Sequence, residues 1–161
     1  MNKLTALNNI KTVDNKVLVT EEIAEKIKEA QKSLPKEYEL LIVEGCRSSE
    51  RQKRLYKDYC RKLKKENPNW DEEKLSEEVE KFIANPKDNP PHVFGRAIDI
   101  ILLKGGRKVD MGTEYDDFNK KSYTNSKKIS IVAQKNRKIL VKAMTKAGFG
   151  NCPEEWWHWE L

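Results

Sequence analysis

The chain has 161 residues, of which 37% are hydrophobic and 36% charged, and it carries a net charge of +6. That length suits one domain spanning residues 1–161 with a core of its own. No Gly/Ser, Gln or Pro tract, no internal repeat and no apolar stretch near the roughly 20 residues of a membrane span is present, which excludes disordered, solenoid and membrane-spanning architectures.

Met1 to Thr20 scatters apolar residues among Asn and Lys. It has neither the apolar core nor the small-residue cleavage site of a signal peptide, so residues 1–19 are expected to form an N-terminal extension and the cytoplasm is the default address. Thr20 to Ser33 reads as a helix: Thr20 can cap it, Glu21 and Glu22 suit its first turn, and Ile23, Ile27 and Ala30 form a stripe. Glu39 to Glu44 is a short apolar run fit for a buried strand, broken by Gly45. A second helix opens at Ser48 and Ser49, where Ser49 and Gln52 have capping-box spacing, and Asn67-Pro68 stops it. A third is expected from Asp71 to Ala84, with Leu75, Val79, Phe82 and Ile83 on one face.

Asn85 to Pro91 holds three prolines and reads as a loop. Ala97 to Leu103 is the strongest strand, followed by a Gly105-Gly106 turn and a return strand at Lys108-Val109. Asp110 to Ser130 lacks periodicity. Ser130 to Ala147 reads as a long helix with Ile131, Ile139, Leu140 and Met144 buried, ended by Gly148. Glu155 to Leu161 closes the chain as an aromatic strand. The order predicts an α+β fold, with a small antiparallel sheet flanked by helices.

Cys46, Cys60 and Cys152 are odd in number and never spaced Cys-x-x-Cys. A zinc knuckle or thioredoxin motif is therefore not expected, and at least one thiol stays unpaired within the chain, which favours a reducing compartment. The densest basic run, Arg51 to Lys65, sets eight cations against Asp58. It reads first as the solvated face of an amphipathic helix, and second as an anion-binding surface.

Two histidines exist, His92 and His158. Asp99 sits in the middle of the apolar run Ala-Ile-Asp-Ile-Ile-Leu-Leu, where a carboxylate is costly unless paired or bound to a metal. Two imidazoles and one carboxylate suit a hydrolytic zinc site that leaves a position for water. Glu155, three residues before His158, can serve as the base, and Arg47 is a natural positive partner for an oxyanion. Singly, each has an ordinary reading: a core or surface histidine, a buried partner for an arginine, a turn residue.

His92 to Asp99 fits His-x-x-Gly-x-Ala-x-Asp, and Glu155-Trp156-Trp157-His158 fits Glu-x-x-His. Together they resemble the zinc peptidase superfamily of lysostaphin, the D-Ala-D-Ala metallopeptidases and the hedgehog signalling domain. Met111 to Asp116 looks like the Met-Gly-x-x-Phe-Asp segment of the VanX-type D-alanyl-D-alanine dipeptidases, and Ala147-Gly148-Phe149 is also similar. The likeness runs from about residue 40 to residue 161. It implies one zinc per chain held by His92, Asp99 and His158, with Glu155 as general base and Arg47 at the developing oxyanion. It also implies that Asp116 meets the amino group of a dipeptide, so that the sheet carries the zinc site and the substrate is D-Ala-D-Ala.

The resemblance departs where Pro90 stands in place of a substrate-binding serine. With the short N-terminus, this keeps open a second expectation, a zinc D,D-carboxypeptidase or endopeptidase acting on peptidoglycan stem peptides. The expected partner is accordingly a small D-amino-acid peptide or a stem peptide. Nucleic acid is not expected, because no base-reading or stacking arrangement accompanies the basic run. A non-catalytic zinc fold is the remaining rival, and the presence of Glu155 speaks against it.

Overall fold

The computed structural model describes residues 3–7, 9–14 and 16–161. Strands β1 (Leu4–Ala6), β2 (Lys11–Thr12) and β3 (Leu18–Thr20) lead into helix α1 (Glu21–Ser33) and strand β4 (Tyr38–Glu44). Helices α2 (Ser49–Glu66) and α3 (Glu72–Glu80) follow, then β5 (Ala97–Lys104) and β6 (Arg107–Lys108). Helix α4 (Ile131–Lys146) precedes the short strands β7 (Gly150–Asn151) and β8 (His158–Glu160). The expected α+β class is what the chain adopts.

The main sheet runs β2-β4-β5-β8-β7, with β6 paired to the far end of β5. Every pair in it is antiparallel except β2 with β4. The stretch before α1, read from the sequence as an extension, therefore supplies a strand to this sheet, and β1 pairs with β3 in a second one. The central place of β5 explains its composition. Flanked by β4 and β8, it is buried from Ala97 to Leu103, and only Lys104 reaches solvent. Gly105 and Gly106, both at positive φ, turn it into β6. Helices α1 and α4 touch each other and share with β4 and β5 a core built on Ile23, Ile27, Leu40, Ile42, Ile100, Leu102, Leu140 and Met144.

Helices α2 and α3 form a hairpin with a cluster of its own. Leu55, Tyr59 and Leu63 on one helix meet Leu75 and Val79 from the other, with Ile83 just past its end. Phe118 belongs to both clusters: it stacks on Phe82 at 5.1 Å and lies 6.1 Å from Trp157. The hairpin is thus docked on the sheet beside the terminal aromatic segment.

Helices α1 to α4 are each N-capped by a side chain that accepts the N–H three residues on: Thr20, Ser48, Asp71 and Ser130. Ser48, not Ser49, is the cap of α2. The expected box with Gln52 cannot close because the Gln52 amide turns inward, donating to the Ala84 carbonyl and accepting from Arg47. Helix α3 ends at Glu80 instead of Ala84, since Phe82 and Ile83 leave it to pack on the aromatic cluster. Ile131, expected to be buried, is 66% exposed. The buried row of α4 is Ala133, Arg137, Leu140 and Met144, and Ile131 lies off it. The terminal strand covers only His158 to Glu160, and Glu155 stands in the turns before it.

Candidate active site

Register builds the centre of the site. Across three adjacent strands, Glu44 of β4 lies opposite Asp99 of β5, and Asp99 lies opposite His158 of β8. Directly opposed residues share a face, so three polar side chains stand in one row. A register shift between Ile42 and Glu44 brings Glu44 into that row. His92 arrives from the turn before β5, where Val93 and Phe94 donate to the Pro90 carbonyl and Arg96 to that of Pro91.

The donors His92 Nε2, Asp99 Oδ1 and His158 Nδ1 converge. The two nitrogens are 3.2 Å apart, and they lie 3.3 and 3.0 Å from Asp99 Oδ1. All three residues are buried. A tetrahedral zinc with bonds of about 2.0–2.1 Å separates its ligands by about 3.3 Å, so the donor set fits that ion in both chemistry and spacing. The outer nitrogens are committed to other partners. His92 Nδ1 donates to the Gly45 carbonyl at 2.8 Å, and His158 Nε2 donates to Glu160 Oε1 at 2.9 Å. Each bond fixes the tautomer that points a lone pair at the centre. Burial would raise the Asp99 carboxyl, but the charge and hydrogen bonds of the two imidazoles hold it well below the usual carboxylate range. Burial would likewise lower His158, but Asp99 and Glu160 push it up to about 10. A divalent cation among the three donors would take the place of the proton these carboxylates favour.

Gly45 lets the segment that accepts from His92 lie close against β3. A Cβ there would lie 2.2 Å from the Leu18 carbonyl oxygen and 2.9 Å from a Val19 methyl. Gly45→Ala is therefore expected to cost about 1–3 kcal/mol, typical of overpacking. It should lower Tm by a few degrees and weaken metal binding with it, as thermal melts with and without zinc would register.

Glu155 is 5% exposed, and its Oε2 lies 3.8 Å from His158 Nδ1. Its Oε1 is buried without a hydrogen-bond partner. Desolvation pushes its carboxyl well above the ordinary value, with Asp99 and Asp116 adding to the rise and His158 and Arg47 opposing it. The turn is held from below: Asn151 Nδ2 donates to the carbonyls of Glu155 and His158, and Trp156 N–H to that of Ser122. This non-strand geometry is what lets residues three apart aim at one centre.

Arg47 is clamped. Its Nε and Nη2 grip both oxygens of Glu44, at 3.0 and 2.7 Å, and its Nη1 donates to Gln52 Oε1 at 2.8 Å. Burial works against its charge, yet the Glu44 pair raises its pKa. Its backbone N–H donates to the His92 carbonyl, so its place is tied to a centre residue. Arg51 also pairs with Glu44, at 2.7 Å, while its side chain remains half exposed. The first residue of the basic run thus belongs to the site, not only to a solvated face.

Asp116 stands at the cavity mouth with φ 62, a left-handed conformation. Asp116 is exposed at the surface, yet partial desolvation, then the Asp99 and Glu44 carboxylates, push its carboxyl up to about 6 against the pull of Arg47 and Arg51. Its neighbour Tyr115 points inward, where its hydroxyl donates to Asp99 Oδ2 at 3.0 Å. The cavity joining these groups measures about 210 Å³, smaller than the usual drug-sized pocket, and Phe118, Trp157 and Leu55 supply its apolar wall. Pro90 and Pro91 line it as well.

The structure thus gathers His92, Asp99, His158, Glu155, Arg47 and Asp116 around one cavity. Glu44, Gln52, Arg51, Tyr115, Glu160 and the Gly45 carbonyl join them without a role that the sequence predicts. Their traces there are slight: Glu44 closes an apolar strand as a charge, Arg51 opens the basic run, and Tyr115 lies in the Met111–Asp116 segment.

A buried His/Asp/His cluster on a mixed sheet, with an unpartnered carboxylate oxygen beside it, has the make-up of a metal-dependent hydrolytic centre. The chain belongs to the peptidase family described as D-ala-D-ala dipeptidase, whose sequence profile matches residues 3–161. It is 38% identical over 71 residues to the D-alanyl-D-alanine dipeptidase of Escherichia coli, covering 44% of this chain and 37% of that one. Against the enzyme of that name from Enterococcus faecalis it is 28% identical over 157 residues, covering 91% and 74%. A match in Synechocystis covers 35% of that relative, so the chain spans little more than a third of two of the three relatives. In fold it is similar to VanYB in complex with D-alanine-D-alanine, with a TM-score of 0.60 at 15% identity over 99% of this chain and 77% of that one. The LdcB LD-carboxypeptidase gives 0.57 at 19%, over 98% and 66%.

Proposed function

We propose that the chain is a zinc-dependent dipeptidase that hydrolyses D-Ala-D-Ala. The observation that carries this is the pairing, in one small cavity, of the His92/Asp99/His158 cluster with an unpartnered buried Glu155 oxygen. The family described as D-ala-D-ala dipeptidase supports the substrate.

His92, Asp99 and His158 hold the ion. Bound there, zinc supplies Lewis acidity toward a water and toward the scissile carbonyl. Glu155 accepts the proton of the attacking water and returns it to the leaving nitrogen. Its unpaired oxygen and desolvated setting suit a base working near neutral pH. Arg47, held by Glu44 and Gln52, keeps a fixed positive charge beside the carbonyl and stabilises the developing oxyanion. Asp116, which lines the same cavity, receives the ammonium of the dipeptide.

Asp116→Ala is expected to lower kcat/KM for D-Ala-D-Ala by roughly 10- to 100-fold, the weight of a hydrogen bond to a charged group. The lower rate on N-acetylated D-Ala-D-Ala, which has no ammonium to place, should change far less. Equal losses on free and N-blocked substrates would remove the ammonium role.

The deciding assay is release of free D-alanine from D-Ala-D-Ala, with and without a chelator, beside a muramyl pentapeptide. Chelator-sensitive release from the dipeptide alone is the expected result. Cleavage of the pentapeptide alone would move the chain to the peptidases of stem peptides, and cleavage of neither would leave a binding domain.

A further inference from the structure

The two oxygens of Asp99 are used differently. Oδ1 faces both imidazole nitrogens, while Oδ2 turns to the loop and accepts the Tyr115 hydroxyl proton at 3.0 Å. Asp99 is 3% exposed, so water has little access to that outer oxygen. We propose that Tyr115 is a positioning residue of the metal centre: its hydroxyl fixes Asp99 as a one-oxygen ligand and thereby sets the affinity for zinc. This rests on the metal assignment made above.

An anionic oxygen buried without a donor is costly. Without the phenol, Asp99 either leaves Oδ2 unpaired or swings to offer both oxygens to the ion. The first weakens the ligand, and the second fills the coordination position that hydrolysis needs for water.

The ring is held in place for this task. It meets Trp157 edge-on, with centroids 5.6 Å apart and planes at 74°. One rival acceptor is in reach, Glu44 Oε2 at 3.5 Å. That carboxylate is already taken by Arg47 and Arg51, at 2.7 Å each, and a contact of 3.5 Å is weak. The phenol proton is therefore left to Asp99. The arrangement also ties two tasks to one loop, since Tyr115 grips a metal ligand and Asp116, the next residue, faces the cavity.

The test is zinc affinity of the full chain, by competition with a chromophoric chelator, for the wild type, Tyr115→Phe and Tyr56→Phe. Tyr56 is the control: its hydroxyl bonds Glu80 and Ser76 on the helical hairpin, away from the centre. Tyr115→Phe keeps the ring and its packing. It is expected to bind zinc about 10- to 100-fold more weakly, the usual effect of losing an outer partner of a ligand, and Tyr56→Phe is expected to match the wild type. Equal affinity for Tyr115→Phe and the wild type overturns the inference while leaving the metal centre standing. A comparable loss in Tyr56→Phe overturns it as well, by making the effect one of general stability. A wild type that binds no zinc overturns the metal assignment itself, and this inference with it.

Discussion

Glu155→Ala is expected to retain zinc and to lose nearly all turnover, with kcat falling by roughly 10²- to 10⁴-fold, the range that a positioned general base contributes. The direction follows from two features that no structural duty explains. Glu155 is buried with one carboxylate oxygen unpartnered, and its other oxygen stands 3.8 Å from His158 Nδ1 without being one of the three converging donors. A fold keeps such a group at a cost, because a desolvated carboxylate lacking donors is unfavourable. Glu155→Gln, which keeps the shape and removes the charge, is therefore expected to be as inactive as the alanine variant and to melt no lower than the wild type. Steady-state D-alanine release, zinc content and a thermal melt of each variant check the three parts together. Activity within about tenfold of the wild type would show that another group takes the proton.

The same contrast explains how much of the site was legible in the sequence. His92, Asp99, Glu155 and His158 stand out because their chemistry conflicts with their surroundings: a carboxylate inside an apolar strand, and a carboxylate and an imidazole inside an aromatic segment. The helices were legible through their caps and stripes, which are local. What stayed hidden depends on partners far away in the chain. Whether Glu44 joins the row with Asp99 and His158 is decided by the register shift between Ile42 and Glu44, and no residue type announces that. The Tyr115 hydroxyl reaches Asp99 through the path of a loop without periodicity, and the Gly45 carbonyl reaches His92 across 47 residues. The strand at Lys11–Thr12 was missed because two residues carry no pattern until β4 receives them. Ile131 was misplaced for a related reason: hydrophobicity alone put it in the core, whereas the row from Ala133 to Met144 fixes which side of α4 is buried.

Removing the metal is expected to abolish hydrolysis and to lower stability together, because the residues that would hold the ion also join separate parts of the chain. Asp99 and His158 face each other across β5 and β8, and His92 links the turn before β5 to the Gly45 segment through its other nitrogen. An ion that binds only the folded arrangement stabilises it by RT ln(1 + [L]/Kd), about 4 kcal/mol when free zinc stands at roughly a thousand times its Kd. For a chain of this size that is on the order of 10 °C in Tm. His92→Ala should show the same two losses without a chelator, and its Tm should no longer respond to added zinc. Asp116→Ala, which leaves every donor in place, should keep the full zinc-dependent shift. Melts of the wild type, His92→Ala and Asp116→Ala over a zinc titration separate the outcomes. A zinc response that survives in His92→Ala would mean that the ion is held elsewhere. Loss of activity on chelation with no change in Tm would mean that the centre is rigid before the ion arrives and binds it too weakly to support the fold.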